Sequence, residues 1–263
     1  MAFVAVPGPY DFALSTERFR AFGVDRAAVW HEGGLHRVLG GVEVRIEAAE
    51  GGVDVSPAAD VSQLLGFAFD LDAFYAWAAR DEVLRDAVVR LRGFRPPLVP
   101  DAWEMLVGAI TAQQVSLFSA TAIRNRFVER YGVEHEVAWA FPRREAVAAA
   151  GEGDLVALGF SRRKEEYVLG LARSDLDLDA LRELPDDEVR ARIVAQRGLG
   201  EWTAEWFLAR HLARPNAWPW GDLALRKAVA DLYRGLEVRE AQPRFHPFEN
   251  LSAHYLLLTQ RVP

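Results

Sequence analysis

Gln196-Arg197-Gly198-Leu199-Gly200-Glu201-Trp202-Thr203-Ala204 is the stretch on which the reading of this chain turns. Upstream, a helical pattern opens near Asp186, keeps Val189 and Ile193 inward, and stops at Gly198. Gly-Leu-Gly makes the turn, and a second helix begins at once with Trp202 and Trp206 four residues apart on one face. Two helices joined so tightly bring unpaired amides and the positive end of a helix dipole to one surface point. Such a point holds a phosphate with no basic side chain and without reading base sequence. Bare backbone at Gly198 and Gly200 lets a phosphodiester come close. Taken alone, Gly-x-Gly is more often a plain helix connection closed by a glycine C-cap.

The rest of the chain sets bounds on that reading. With 263 residues, 51% of them hydrophobic, it is long enough for a well-buried core in one or two domains. The absence of Cys excludes disulfides, zinc–thiolate sites, thiol catalysis and Cys-ligated iron–sulfur clusters. The N-terminal Met1-Ala2-Phe3-Val4-Ala5-Val6-Pro7 lacks a basic region and is too short to be a signal peptide. No apolar run approaches the ~18 residues of a membrane span, so a soluble protein of the cytoplasm with no membrane partner is expected. The net charge of −7 opposes nucleic-acid binding at face value. Residues 190–234 nevertheless carry eight basic groups against four acids, while 175–188 carry seven acids and one Arg. Only Lys164 and Lys227 are lysines, an imbalance that codon usage explains as well as function does, so composition leaves the partner open.

An α+β protein is expected, with an N-terminal antiparallel sheet subdomain over residues 1–70 and a helical domain over 71–263. Gly33-Gly34, Gly40-Gly41 and Gly51-Gly52 punctuate the first part as hairpin turns do. Between them Val42, Val44, Ile46 and Ala48 alternate with Glu43, Arg45 and Glu47, the pattern of a half-buried strand. Ala28–Glu32, Leu35–Leu39 and Val53–Val55 are further strand candidates, with a helix or two packed on one face. From Leu71 the pattern turns helical. Asp101 with Glu104 has the spacing of a capping box, and Ser116, Ser161, Asp186, Asp222 and Asn250 are further helix starts. Arg95-Pro96-Pro97-Leu98-Val99-Pro100 is a stiff connection between subdomains.

Three motifs in one order sharpen the reading. Thr111-Ala112-Gln113-Gln114-Val115-Ser116 precedes the Gly198–Gly200 turn, and Trp218-Pro219-Trp220-Gly221-Asp222-Leu223 follows it by about twenty residues. Together they resemble the helix-hairpin-helix DNA glycosylase superfamily, and within it the 3-methyladenine DNA glycosylase II (AlkA-like) branch. The resemblance covers residues 100–263 well and the N-terminal sheet more loosely. It implies two helical subdomains with the active site in the cleft between them. The implied activity is monofunctional N-glycosylase action on alkylated bases in duplex DNA, by a monomer, with base flipping, in base-excision repair.

Carried onto this sequence, the resemblance makes Asp222 the catalytic carboxylate. An Asp after Gly at a helix start is ordinarily an N-cap, and the two roles are compatible. An ionised carboxylate beside the sugar stabilises oxocarbenium character; orienting or deprotonating the attacking water is the other option, and the sequence does not separate them. Trp202 and Trp206 are assigned to the pocket of the flipped base, where an indole face attracts a cationic alkylpurine, although such pairs are more often plain core. Trp220 and Leu257 join them. The hairpin Gly198, Leu199, Gly200 and Thr203 is assigned to the DNA backbone. Gln113 and Gln114 are assigned to the minor-groove wedge that fills the gap left by the flipped base. Backbone carbonyls of Val194, Gln196 and Leu199 would hold a monovalent cation, and no redox or organic cofactor is required.

Departures are visible too. Trp202 stands where strand-nicking relatives carry a Schiff-base Lys, and no Lys lies between Lys164 and Lys227. Phe248-Glu249-Asn250 has an acid where the family commonly has an Arg, and Leu257 replaces an aromatic. Alternatives are a glycosylase for oxidised or deaminated bases and a non-catalytic binder of damaged DNA; a small-molecule hydrolase would leave the hairpin and the Gln pair unexplained.

Overall fold

The structure, a computed structural model, describes residues 1–262. Five antiparallel strands open the chain: β1 (Ala2–Ala5), β2 (Ala28–His31), β3 (Gly34–Leu39), β4 (Val42–Ala49) and β5 (Gly52–Ser56). Their order is β1-β5-β4-β3-β2. The turn between β3 and β4 places both Gly40 (φ +57°) and Gly41 (φ +82°) in the left-handed region, as a two-residue hairpin turn requires. Val44 and Ile46 are fully buried on the inner face of β4, as the alternation requires. The sequence pattern does not announce β1. It is a short edge strand that gains its place by pairing Val4 with Val53 across β5. Two one-turn helices, α1 (Phe12–Ser15) and α2 (Arg18–Ala21), follow it.

The remaining helices are α3 (Leu71–Ala78), α4 (Glu82–Arg90), α5 (Ala102–Ala112), α6 (Leu117–Tyr131), α7 (Arg144–Ala148), α8 (Asp154–Ala157), α9 (Arg162–Arg173), α10 (Asp186–Val194), α11 (Glu201–Arg210), α12 (Leu223–Leu232), α13 (Val238–Ala241) and α14 (Glu249–Thr259). A two-strand ribbon, β6 (Val133–Glu134) with β7 (Trp139–Ala140), sits between α6 and α7. Side-chain caps at Asp70, Asp81, Asp101, Ser116, Ser161 and Asp222 start helices where a backbone amide has no partner of its own. α10 starts at Asp186 as expected, after Pro185, whereas α14 starts at Glu249, one residue before the expected Asn250, and α10 ends at Val194 rather than Gly198.

Two helical cores result, and one of them is discontinuous in sequence. The first gathers α5 to α11 around Leu106, Ile110, Phe127, Val168, Ile193 and Phe207. The second joins α3 and α4 to α12, α13 and α14 around Phe74, Leu84, Trp218, Val229, Phe245 and Tyr255. The segment 95–100 carries the chain from one to the other. Arg95, 1% exposed, fastens it by donating to the carbonyls of Gly66 (3.1 Å), Phe69 (2.5 Å) and Pro7. Leu257 packs against both cores, which marks the line along which they meet. Among the described residues no helix is long and apolar enough to cross a membrane.

Glu104 docks the sheet on the first helical core. Its carboxylate does not return to close a capping box, which the spacing from Asp101 had invited. It takes a two-pronged pair from Arg37 of β3 (2.9 and 2.8 Å) and a third bond from Arg124 of α6 (2.6 Å). Arg124 also reaches Asp25 at 3.0 Å. Burial by itself raises the Glu104 carboxyl, but the charges and hydrogen bonds of Arg37 and Arg124 more than reverse this and hold it at about 2. A folded-state value below the unfolded one stabilises the fold above pH ~4.5, and that stabilisation is lost as pH falls toward 2. The term is worth about 3 kcal/mol. Glu104→Ala, which leaves two buried guanidinium groups uncompensated, should cost about 3–5 kcal/mol in urea unfolding at neutral pH. The variant should also lack the acid-sensitive part of the wild-type stability curve between pH 4.5 and 2. A cost under about 1 kcal/mol would show that the network is not what holds sheet to helices.

Candidate active site

Asp222 stands at the N-terminus of α12 with both carboxylate oxygens engaged. Oδ1 accepts from the backbone N–H groups of Ala224 (2.9 Å) and Leu225 (3.1 Å), which makes it the helix cap. Oδ2 accepts from the indole Nε1 of Trp202 (3.2 Å) and of Trp206 (3.0 Å) on α11. A carboxylate has about four acceptor positions, and here four N–H donors fill them. The carboxylate is half-buried, so one side remains open to the cleft.

The loop that presents Asp222 is held by a residue the sequence reading passed over. Glu205 lies on α11 between the two indoles and is 8% exposed. Its Oε2 accepts from the Trp218 backbone N–H (2.9 Å), and its Oε1 from Arg190 Nε (2.5 Å). An acid inside the otherwise apolar run Trp202–Ala209 was the available signal. Asn250 does similar work from α14, donating to the carbonyls of Ala209 (3.1 Å) and Arg214 (2.9 Å).

Between α10 and α11 the hairpin has two glycines with different reasons to be there. Gly198 has φ +87°, and a Cβ would lie 2.1 Å from the Tyr167 ring on α9. Gly200 has φ −111° and nothing within 4 Å of a would-be Cβ. No side chain caps α11, and the amides of Gly200, Glu201 and Trp202 have no acceptor among the described residues. Leu199 and Thr203 do not belong with these outward amides. Leu199 is 4% exposed and turns its N–H to Gln196, while Thr203 is 1% exposed and turns its own to Gly200. The hydrophobic side chain of one and the helical register of the other draw them inward. The carbonyls of Val194 and Leu199 receive no donor, whereas that of Gln196 accepts from Leu199.

The Gln pair separates in the same way. Gln113 donates through Nε2 to the Gly198 carbonyl (2.9 Å), which fastens the α5–α6 loop to the hairpin and removes Gln113 as a wedge. Gln114 is exposed at φ +54° on the tip of that loop, followed by exposed Val115, Leu117 and Phe118. Lys164, 8% exposed, caps the end of α5 through Thr111 O at 2.9 Å.

The pocket walls differ most from expectation. Trp206 is 2% exposed, and its ring face is covered by the Arg210 guanidinium 3.8 Å from the centroid. It therefore serves Asp222 through its N–H, and its cation-binding face is already occupied. Trp220 is likewise covered, by Arg239 at 3.5 Å. Trp202, half-buried and packed on Gly221, and Leu257 keep accessible surface in the cleft. Glu249, the acid that departs from the family pattern, is buried and pairs with His246 at 3.1 Å. Several members of the basic cluster are paired within the chain: Arg190 with Glu205, Arg214 with Asp186 and, on the exposed surface, Arg197 with Glu166.

Comparison with known proteins places this geometry. A family model described as HhH-GPD superfamily base excision DNA repair protein matches residues 107–244, from α5 through the hairpin and Asp222. A Bacillus subtilis protein named DNA-3-methyladenine glycosylase is 31% identical over 168 residues, covering 61% of this chain and 55% of that protein. A Mycobacterium tuberculosis protein named probable bifunctional transcriptional activator/DNA repair enzyme AlkA is 32% identical over 212 residues, covering 76% and 42%. This chain thus spans about half the length of the curated relatives it matches. The solved structure of a 3-methyladenine DNA-glycosylase from Archaeoglobus fulgidus superposes with a TM-score of 0.90 at 28% identity, covering 99% of both chains.

The two hairpin glycines give a test that needs no substrate. Gly198→Ala meets the Tyr167 ring and a left-handed backbone at once, and should lose at least about 2 kcal/mol in thermal or urea unfolding. Gly200→Ala meets open space and an extended φ, and should stay within about 1 kcal/mol of wild type. Equal losses would show that internal packing demands both glycines.

Proposed function

The chain belongs to the HhH-GPD superfamily of base excision DNA repair proteins, and on that footing we propose that it is a monofunctional DNA N-glycosylase that flips out and excises alkylated bases of the 3-methyladenine type. The names of its relatives support the lesion class, and the Asp222 geometry supports the chemistry. Duplex DNA is the partner. Every donor around Asp222 and every part of the hairpin comes from one chain, which supports action as a monomer. The lack of cysteine fits a reducing compartment and supports the cytoplasm as the place of work.

The observation that carries the reading is the saturated carboxylate. Breaking the C1′–N bond builds positive charge on the sugar, and a fixed negative group beside C1′ stabilises it without reorganising. Four N–H donors hold Asp222 in place for that task. They also leave no acceptor position with which to take a proton from water unless a donor is given up. This favours electrostatic stabilisation over general-base action. Free amides at Gly200, Glu201 and Trp202 offer a phosphate site that positions the duplex, and Gln114 is the side chain on hand to fill the vacated stack. Hydrolysis of this bond needs water and a carboxylate, so no redox or organic cofactor is required. The donor-free carbonyls of Val194 and Leu199 are hard oxygen ligands of the kind a monovalent cation takes, and with Gln196 they would hold one at the hairpin.

Asp222→Asn keeps an N-cap of equal quality but turns an amide NH2 toward donors. The variant should fold, keep its affinity for lesion duplex, and lose base release by at least about 10²-fold in single-turnover assays with 3-methyladenine. Release near the wild-type rate would remove Asp222 from the chemistry. Borohydride should trap no covalent complex, since Trp202 occupies the Schiff-base position and Lys164 is buried on Thr111 O. A trapped species on a denaturing gel would establish lyase chemistry instead. Gly200→Asp should weaken binding to damaged and undamaged duplex alike, because phosphate contacts position without reading bases. If the folded variant bound undamaged duplex as tightly as wild type, the hairpin would be a helix connection only.

A further inference from the structure

Two polar side chains packed on Trp206 are left without hydrogen-bond partners. Arg210 makes no hydrogen bond or ion pair through its side chain among the described residues, and its Nε is buried and unsatisfied. His254 on α14 meets the Trp206 ring edge-on at 5.7 Å, and its Nε2 is buried and unsatisfied too. The Arg210 Nε is out of reach of water, and the cation–π contact with Trp206 gives it no acceptor, so its donor capacity is unmet. The neighbouring acid on the same helix, Glu205, is already committed to Arg190 and Trp218. The nearby charges are Arg18 and Arg261, which push against Arg210, and Asp222, which alone pulls the other way. Burial, together with the charges of Arg210, Arg18 and Arg261, drives His254 well below the usual histidine range, so it stays neutral.

The positions are set by helical spacing. Trp202, Trp206 and Arg210 follow one another at four-residue steps on α11, and His254 and Leu257 line a face of α14, with Arg261 beyond its end. Along this cleft Asp222 touches the indole N–H of Trp206, and Arg210 lies on the face of the same indole. The carboxylate thus sits at the N–H edge of the Trp206 indole and the guanidinium over its face, so both charges border the same side chain.

We propose that Arg210 is a specificity-determining residue of the base pocket: its guanidinium receives the acceptor edge of a flipped-out neutral base and stabilises the negative charge that base carries as it leaves. The proposal rests on the glycosylase reading and goes beyond it. A cationic alkylpurine departs as a neutral molecule and needs only the sugar charge stabilised, which Asp222 does. A neutral base takes the C1′–N electron pair away with it and departs as an anion. Water oxygen then bonds C1′ and gives one proton to solvent, and the departing base takes up one proton from solvent. The fixed cation lowers the barrier only for this second class. For a cationic base the same charge gives no help to the leaving group, so Arg210 extends the range of bases toward neutral ones without carrying the release of alkylpurines.

The test compares two lesions in one duplex sequence, hypoxanthine (neutral) and 7-methylguanine (cationic), in single-turnover release by wild type, Arg210→Gln and Arg210→Lys. Arg210→Gln should lower the hypoxanthine rate by on the order of 10²-fold, mainly in kcat, and the ratio of hypoxanthine to 7-methylguanine rates by at least about tenfold. Arg210→Lys, which keeps the charge, should recover part of that ratio. Because the ratio is internal to each variant, partial unfolding cancels from it. Equal loss on both lesions, or wild-type release of 7-methylguanine with none of hypoxanthine, overturns the role of Arg210 alone. Wild type that releases neither base overturns the glycosylase reading and this proposal with it.

Discussion

The Asp222 carboxylate is the contact through which the two helical cores meet. Its Oδ1 caps α12, which belongs to the second core, and its Oδ2 is held by indoles of α11, which belongs to the first. A half-buried charge needs compensation for the water it gives up, and hydrogen bonds to a charged acceptor are each worth about 1.5–3 kcal/mol. Those bonds form only if α11 and α12 keep their relative placement. Folding and site preparation are therefore one requirement. The cleft cannot shift without breaking donors to the carboxylate. Glu205 and Asn250 brace the same junction from either side, through the Trp218 amide and the carbonyls of Ala209 and Arg214.

What could be read from the sequence is what short-range chemistry encodes. The hairpin declares itself in Gly198 and Gly200, Asp222 in its place after a Trp-Pro-Trp-Gly turn, and the sheet in the alternation of Val42 to Ala48. Each signal lies within a few residues of the feature it specifies. The family of DNA repair proteins followed from the order and spacing of three such signals. The pairing of α3 and α4 with α12 to α14 was not legible, because it is a packing choice between segments far apart in the chain. Glu104 shows the same limit. Its spacing from Asp101 fits a local capping box, yet Arg37 wins it, since a buried guanidinium leaves no cheaper partner. At Trp206 the periodicity put the indole at the cleft, but only the fold reveals that Arg210, one turn on, lies over it.

Charge follows a comparable pattern. A net charge of −7 with a basic stretch at 190–234 invites the picture of a positive patch facing a polyanion. In the folded chain half of its basic groups, Arg190, Arg192, Arg197 and Arg214, pair with Glu205, Glu188, Glu166 and Asp186. On the proposed function, oriented amides at the start of α11 would add an attraction for phosphate that is present whatever the net charge. Such a contact releases few counterions, so a protein that relies on it feels salt less than one that lays a lysine-rich face on DNA.

Extruding a base from a duplex costs a few kcal/mol of stacking and pairing, and a side chain that pushes must have something to push against. Gln114 sits at the tip of the α5–α6 loop with a left-handed backbone. The residue before it is tied to the hairpin through Gly198 O, and the helix before that is capped by Lys164. The hairpin in turn rests on α9, where Tyr167 fills the space a side chain at Gly198 would need. The α5–α6 loop, the hairpin and α9 are thus fastened into one body by two hydrogen bonds and one aromatic contact. A phosphate held at Gly200 and a stack entered at Gln114 would be gripped at a fixed separation. On the proposed function, the force on the base would return through the hairpin to the same α11 that holds Asp222, so that opening the duplex and presenting the sugar to the carboxylate would draw on a single rigid element.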